Sequence, residues 1–403
     1  GAVHTRFAHA IGVFHVARML VGVIRREMSR KGEEPDEKRC DVALVAALLH
    51  DLGHGPFSHS FEHVQDARGA KKRHEQWTAD IIRNEAGQIR PLLEGFRAGF
   101  TEEAAGLLAK EDPEDIYHAV VSSSFDADRL DYLRRDKLMT GTGAGGIDFD
   151  WLLENIRVAP IALDAPDEDD AAPRKVQTFC LDRKALPAAE QFLLARYTLH
   201  EQVYFHKTTR CVEAMIGRLL GAVAAAASGE GSGPERTGLP SGHPLLRFFG
   251  KGGETVENYL ALDDALIFGS LEAMAEAADP VIADMAARIR DRNLYKTLDL
   301  VEFGADKGRQ ANRRRKIEKQ FAGKIEDGRI IRDDKAAIGI YAEIGGDEER
   351  MHKRLHILDG GTPTEISKLS DLIGALEDKK PFLRFYFADK AEQDMARQRG
   401  SRR

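Results

Sequence analysis

The sequence predicts a mainly α protein: a helical core, a helical extension and a small α+β lobe at the C-terminal end. Three observations carry this. Residues 7–30 place Phe7, Ile11, Phe14, Ala17, Val21 and Ile24 at three- and four-residue spacings, the period of an amphipathic helix. A second apolar helix, from Asp41 to about Leu52, runs into Gly53 and Gly55-Pro56, which end it. From about residue 329 the texture changes, with strand-like Ile338–Ile344 and Phe382–Phe387 around a helix at Thr364–Glu377 that Thr364 is placed to cap.

Between these landmarks, segments 57–66, 74–85, 101–110, 114–123 and 128–139 are also helix-like. Ile156–Leu163 and Val176–Leu181 read as strands joined by an acidic tip, DAPDEDDAAP at 164–173. One long helix is expected from Ala185 to about Ala227, and a further helical stretch over about 254–297. Residues 228–244 are rich in Gly, Ser and Pro and lack a period, the composition of a flexible loop. The expected divisions are therefore 1–227 as core, 228–244 as loop, 245–328 as helical extension and 329–403 as the α+β lobe.

A length of 403 residues exceeds what one core usually organises, which is why appended lobes are expected. The net charge of −7 gives a field that does not attract polyanions, so any phosphate site must be locally basic. Cys40, Cys180 and Cys211 are odd in number and widely spaced, which suits reduced thiols. No apolar run is read as reaching the roughly 18 residues that cross a bilayer. No secretory leader is read either, and a cytoplasmic location is expected. The chain opens at Gly1 without Met, so native residues upstream of His4 and Arg6 are expected.

Eight of the 14 histidines lie in the first 74 residues: His4, His9, His15, His50, His54, His59, His63 and His74. His50 and Asp51 close the apolar helix ALVAALLHD, where an unpartnered buried carboxylate would cost several kcal/mol. A metal ion is the expected partner. Adjacent helical residues point about 100° apart, so other helices must complete the set. His9, in the first turn of the first helix, and Asp128, opening DRLDYLRRD, are the candidates. Imidazole and carboxylate together suit one divalent Fe, Mn, Zn, Co or Ni ion without choosing among them.

An HD dipeptide alone says little. The composite H-x-R-F-x-H, HDLGHGPFSHSFE, RHE and DADRLDYLRRD, in that order, closely resembles the deoxynucleoside triphosphate triphosphohydrolases of the HD superfamily over about residues 1–215. Two branches are set aside: the HD-GYP signature is absent, and Gly53-His54-Gly55 stands where alarmone hydrolases carry paired acids. The resemblance implies an HD-domain helical core that turns dNTP and water into deoxynucleoside and inorganic triphosphate, with Mg on the substrate triphosphate. It also implies a homo-oligomer (dimer, tetramer or hexamer).

Metal coordination lowers the pKa of water from about 15.7 towards 7, which supplies a nucleophile for phosphorus. The departing 5′-oxygen needs a proton, and His59 is the candidate acid, with Glu62 three residues on to hold its ring. By resemblance His54 and His74 line the α-phosphate, Arg6 and Arg129 contact phosphates, Tyr132 presses on the deoxyribose and Asp136 accepts from the 3′-hydroxyl. Arg196, His200, Tyr204 and Lys207 recur at four- and three-residue spacing, which on a single helix would project a triphosphate-binding stripe from one side.

Arg292 and Lys296 resemble positions that contact an activating nucleotide, whereas Trp151 stands near a place where the vertebrate enzyme is basic. Asn312 to Lys316 and the tail Arg402-Arg403 are basic enough to touch nucleic acid, but Glu318, Glu326 and Asp327 interleave with them. Two other functions fit the motifs: an HD nucleotidase or phosphodiesterase acting on another phosphate ester, and a nucleotide-sensing or nucleic-acid-binding HD module. The first would not need the Arg196 to Lys207 stripe. The second would lack a ligand or acid, and none is missing.

Overall fold

Helix α1 (Arg6–Lys31) starts where Thr5 turns its hydroxyl onto the amide of Ala8 at 3.2 Å, and stops where Gly32 takes the left-handed conformation (φ 73°). Such local signals mark most of the helices in this computed structural model, which describes residues 2–110, 113–143, 146–163, 174–229, 233–304, 306–334, 337–339, 351–376 and 380–398. In chain order there follow α2 (Glu37–Leu49), α3 (His59–Ala67), α4 (His74–Arg83), α5 (Ile89–Phe96), α6 (Phe100–Ala109), α7 (Ala127–Thr140) and α8 (Phe149–Asn155). The hairpin β1 (Ile156–Ala162) and β2 (Lys175–Asp182) leads to α9 (Leu186–Leu199) and α10 (Lys207–Ser228). The protein is mainly α, as the sequence predicts.

The chain divides into two compact units. The first comprises residues 1–53, 73–203 and 337–380; the second comprises 54–72, 204–336 and 381–403. In the first unit α1 packs on α2 and α7, and α6 packs on α2 and α4. Its core includes Val13, Val16, Ala17, Leu20 and Val21 of α1 and Leu130 and Leu133 of α7. β1 and β2 pair antiparallel from Ile156↔Leu181 to Ala162↔Lys175, and the tip at 164–173 lies outside the described residues. Strands His356–Asp359 and Thr362–Glu365 extend this sheet to four, the former parallel to β2.

In the second unit α10 packs on α3 and on helix Pro280–Arg290. Phe61 of α3 lies in an aromatic cluster, with ring centroids 5.6 Å from Phe248, 5.8 Å from Phe249 and 6.0 Å from Tyr259. Each such pair contributes about 0.5–1.5 kcal/mol beyond its area, which fixes α3 and the His59 it carries. A three-stranded antiparallel sheet places Arg384–Phe387 between Lys296–Asp299 and Ile330–Asp333. The C-terminal α+β elements are therefore shared: residues 337–380 belong to the first unit and 381–403 to the second.

Several local expectations are corrected, mostly because a capping side chain or a change of helix type breaks a continuous apolar pattern. The helix expected over 185–227 is interrupted by a π-turn at His200–Tyr204, and α10 restarts at Lys207 behind the His206 cap. The residues of the expected stripe are thus not on one helix: Arg196 and His200 fall in the first unit, Tyr204 and Lys207 in the second. The stretch 254–297 is three helices, Val256–Leu260, Asp264–Ala275 and Pro280–Arg290, restarted by the caps Thr255, Asp263 and Asp279, and Lys296 begins a strand. Residues 233–237 of the expected loop are helical, with Thr237 and Leu239 buried.

Thr364 lies in a strand, and Ser370 caps the short helix Asp371–Gly374 instead. Residues 116–120 form a 3-10 turn capped by Asp115. Of the expected strand 338–344, residues 340–344 lie outside the described residues. Among the described residues two helices, α1 and α10, are long and apolar enough to cross a membrane by length and composition alone, which corrects the expectation that no apolar run reaches that length; here their apolar sides supply core residues.

Gly53 follows α2 where the chain passes α4. A Cβ there would lie inside contact distance of the His74 carbonyl and the Thr78 amide. Gly53→Ala is expected to lower stability by about 1–3 kcal/mol through that overlap, read as an earlier midpoint in thermal unfolding.

Candidate metal centre and active-site elements

Asp126 caps α7 by accepting from the Arg129 amide at 2.8 Å, which sets Asp128 in the helix's first turn. α1 brings His9 to the same place and the end of α2 brings His50. The ligand atoms of His9, His50 and Asp128 lie within 4.8 Å of one another. Each imidazole is oriented from behind. His9 Nδ1–H donates to Asp131 Oδ2 at 2.8 Å, leaving Nε2 3.0 Å from Asp128 Oδ1. His50 Nδ1–H donates to the Ala47 carbonyl at 2.9 Å. That bond leaves Nε2 facing Asp51 Oδ1 at 3.2 Å and Asp128 Oδ1 at 3.7 Å, buried and without a well-aligned hydrogen bond.

Two Nε2 atoms held towards shared carboxylates, one of them buried with no aligned donor or acceptor, form a donor set that fits a divalent transition ion. Asp51 adjoins the cluster through its Oδ1, while its Oδ2 is held by the Arg6 guanidinium. The electrostatics agree. Burial alone would lower the pKa of His9, but the bonds to Asp128 and Asp131 reverse this and raise it to about 10. His50 is raised for the same reason, Asp128 and Asp51 outweighing burial. Burial pushes the Asp128 carboxyl up, and His50 and His9 more than reverse that, holding it ionised.

Asp131 was not among the residues singled out by sequence, although it sits three residues after Asp128 on the same helix. Arg135, one turn further, clamps it through two bonds of 2.7 and 3.0 Å. Gly12 of α1 is what lets this pair approach: a Cβ there would overlap Asp131 Oδ1 and Arg135 Nη2. His4, which had no assigned role, pairs with Asp136 at 3.1 Å.

The remaining candidates are placed as follows. Tyr132 follows Asp128 by one turn of α7, and burial pushes its hydroxyl up to about 12, so it stays neutral. Arg129 is buried, and its guanidinium binds Asp126 and the Ser123 carbonyl at 3.0 Å, bracing the start of α7. Arg196 and His200 are also buried. His74 begins α4, with Nε2 3.3 Å from Glu75. In the second unit, His59 Nδ1 lies 3.1 Å from Glu62 Oε2, and the His54 and His59 rings meet edge to face at 6.0 Å.

The turn before His59 is strained: Phe57 and Ser58 have φ of 54° and 47°, a region non-glycine residues rarely adopt. The Phe57 amide is pinned by Asp264 Oδ1 at 2.8 Å. Arg292, at φ 54°, is the third such residue among those described.

Residues 6–138 match the HD domain family, and residues 174–231 the HD-associated region. Residues 6–138 therefore form an HD domain. Among curated relatives, the uncharacterized protein YwfO of Bacillus subtilis is 28% identical over 384 residues, 94% of this chain and 80% of its own length. A deoxynucleoside triphosphate triphosphohydrolase homologue of Dictyostelium discoideum is 29% identical over 317 residues, 76% of this chain; the match spans 53% of that longer protein. A crystal structure of a phosphohydrolase from Bacteroides thetaiotaomicron shares the fold with a TM-score of 0.65 at 24% identity, covering 95% of this chain and 87% of that one. His9, His50 and Asp128, which converge at the α1, α2 and α7 ends, all lie within the matched residues 6–138.

Two outcomes follow for the HD domain. Asp131→Asn removes the charge behind His9 and is expected to weaken metal affinity about 10–100-fold, measured by competition with a chelator. In chelator-treated protein His9, raised from 6.5 to about 10, holds both protons at pH 7.5, and its ion pairs stabilise the fold fully below pH 6.5 and are lost as pH rises through 10. Metal uptake at pH 7.5 should therefore release about one proton from His9, with affinity rising up to pH 10; calorimetry in buffers of different ionisation enthalpy reads this directly.

Proposed function

We propose that this HD-domain protein is a metal-dependent dNTP triphosphohydrolase that releases the deoxynucleoside and inorganic triphosphate in one step. The observation that carries the reading is the face of α7. Asp128, Tyr132 and Asp136 follow one another by single helical turns, so a metal ligand, a neutral aromatic hydroxyl and a carboxylate line one side over about 12 Å. That length and chemistry suit a sugar held beside a phosphate. The Dictyostelium relative's name, a deoxynucleoside triphosphate triphosphohydrolase homologue, supports the same substrate.

His9, His50, Asp128 and Asp51 would hold a divalent ion, which when bound would supply Lewis-acid activation of water. The chain's own residues do the rest. Arg6, Arg196 and the imidazoles of His74 and His200 bind and neutralise the phosphates, while Arg129, engaged by Asp126 and the Ser123 carbonyl, braces the start of α7 rather than contacting them. Tyr132 packs on the sugar, and Asp136 accepts from the 3′-hydroxyl. Water oxygen bonds to the α-phosphorus as the bond to the 5′-oxygen breaks, and His59 passes a proton to that oxygen. Glu62 holds the His59 ring in the orientation this needs.

Incubation with each dNTP and NTP, followed by anion-exchange chromatography, is expected to give intact triphosphate and deoxynucleoside in equal amounts. Orthophosphate or pyrophosphate with a nucleotide product would instead mark an enzyme for another phosphate ester. Asp128→Ala should remove both metal content and turnover. His59→Ala should keep metal and dNTP binding and lose about 10²–10⁴-fold in rate; full turnover in that variant would remove His59 from the acid role.

A further inference from the structure

The basic run on helix Lys307–Gln320, in the second unit, has no part in the proposed chemistry, and its charges are not balanced internally. The nearby carboxylates are taken. Glu318 and Asp334 each accept from Arg314, at 2.8 Å in both cases, and from Arg332, at 3.0 and 3.1 Å. Asp306 caps the helix through the Arg309 amide. Arg309 and Lys316 are exposed and have no carboxylate partner among the described residues.

Arg313 is the anomaly. It is 6% exposed, and its Nε and Nη2 atoms are buried without a hydrogen-bond acceptor among the described residues. One flat side of the guanidinium is covered by Phe303, whose ring centroid lies 4.8 Å from Cζ. Ile317, one turn on, and Phe321 belong to the apolar cluster beneath the helix. A guanidinium does not give up its proton, so a buried one without acceptors carries an uncompensated charge. Burial pulls its pKa down, in keeping with that cost. Arg309 lies four residues before Arg313 and Lys316 three after, so all three project from one side of the helix.

We propose that this face is a binding site for a small phosphate-bearing anion, with Arg313 donating to phosphate oxygens in the plane of its fork and Arg309 and Lys316 supplying flanking charge. The planar fork matches a phosphate's paired oxygens, and stacking on Phe303 leaves only the guanidinium edge to pair. The shared chemistry is a phosphate chain, carried by a nucleoside diphosphate or by free oligophosphate. This site is independent of the hydrolytic reading.

The test uses a Phe303→Trp variant of the full chain as a local reporter, read as difference emission against the parent, which has Trp77 and Trp151. Inorganic tripolyphosphate is expected to change the emission saturably, and Arg313→Met in the same background should bind at least about tenfold more weakly. ADP in place of tripolyphosphate shows whether a nucleoside adds affinity; a response to either supports the site. No saturable response to either, equal affinity in Arg313→Met, or a response to an oligonucleotide alone would overturn it. Without anion, Arg313→Met should unfold at the same or a higher temperature, because an apolar residue replaces an uncompensated buried cation. A lower unfolding temperature would mean that Arg313 already has an internal partner, which also sinks the proposal.

Discussion

Too many carboxylates meet too few fixed cations where α1, α2 and α7 converge. Asp51, Asp128 and Asp131 lie against His9 and His50, and Arg6 and Arg135 bring permanent positive charge. In a region of low dielectric this imbalance is settled either by protons on the histidines or by a cation. The raised pKa of His9 is the first solution and metal binding is the second. The surrounding helix geometry serves this competition: the Asp126 cap, the missing Cβ at Gly12 and the termination of α2 before Gly53 all bring charged groups within reach of one another.

The orienting bonds behind the two imidazoles differ in strength. His50 is held by a neutral backbone carbonyl, His9 by a carboxylate that Arg135 clamps in turn. A charged partner raises the basicity of the His9 nitrogen and ties α1 to α7 through a contact that an apolar pair would not make directional. The same helix pair thus supplies core packing through Leu20 and Leu130 and ligand orientation at its end.

His59 is secured by different means. Its helix is fixed by the Phe61 aromatic cluster, and the turn leading into it holds two residues at positive φ against the Asp264 bond. Backbone strain of that kind persists only where surrounding contacts outweigh it. Arg313 illustrates the same principle in electrostatic form: the apolar cluster under its helix holds a charge whose Nε and Nη2 meet no acceptor among the described residues.

The helical class and the order of the HD motifs were legible in the sequence, because amphipathic periods survive in one dimension, and His9, His50 and Asp128, expected to share an ion, are brought within reach of one another. Asp131 was visible only as an acid three residues along, and nothing local marked it as the partner of a residue on α1. The breaks at Ser370, Asp279 and His200–Tyr204 were hidden because apolar spacing continues across a cap or an extra residue in a turn. Tertiary structure alone decided that residues 54–72 fold with the second unit, that strands at 356–365 complete the β1–β2 sheet, and that Arg313 is buried. The physical reason is common to all three: long-range pairing and burial depend on which surfaces meet, and a sequence period records only which surface is apolar.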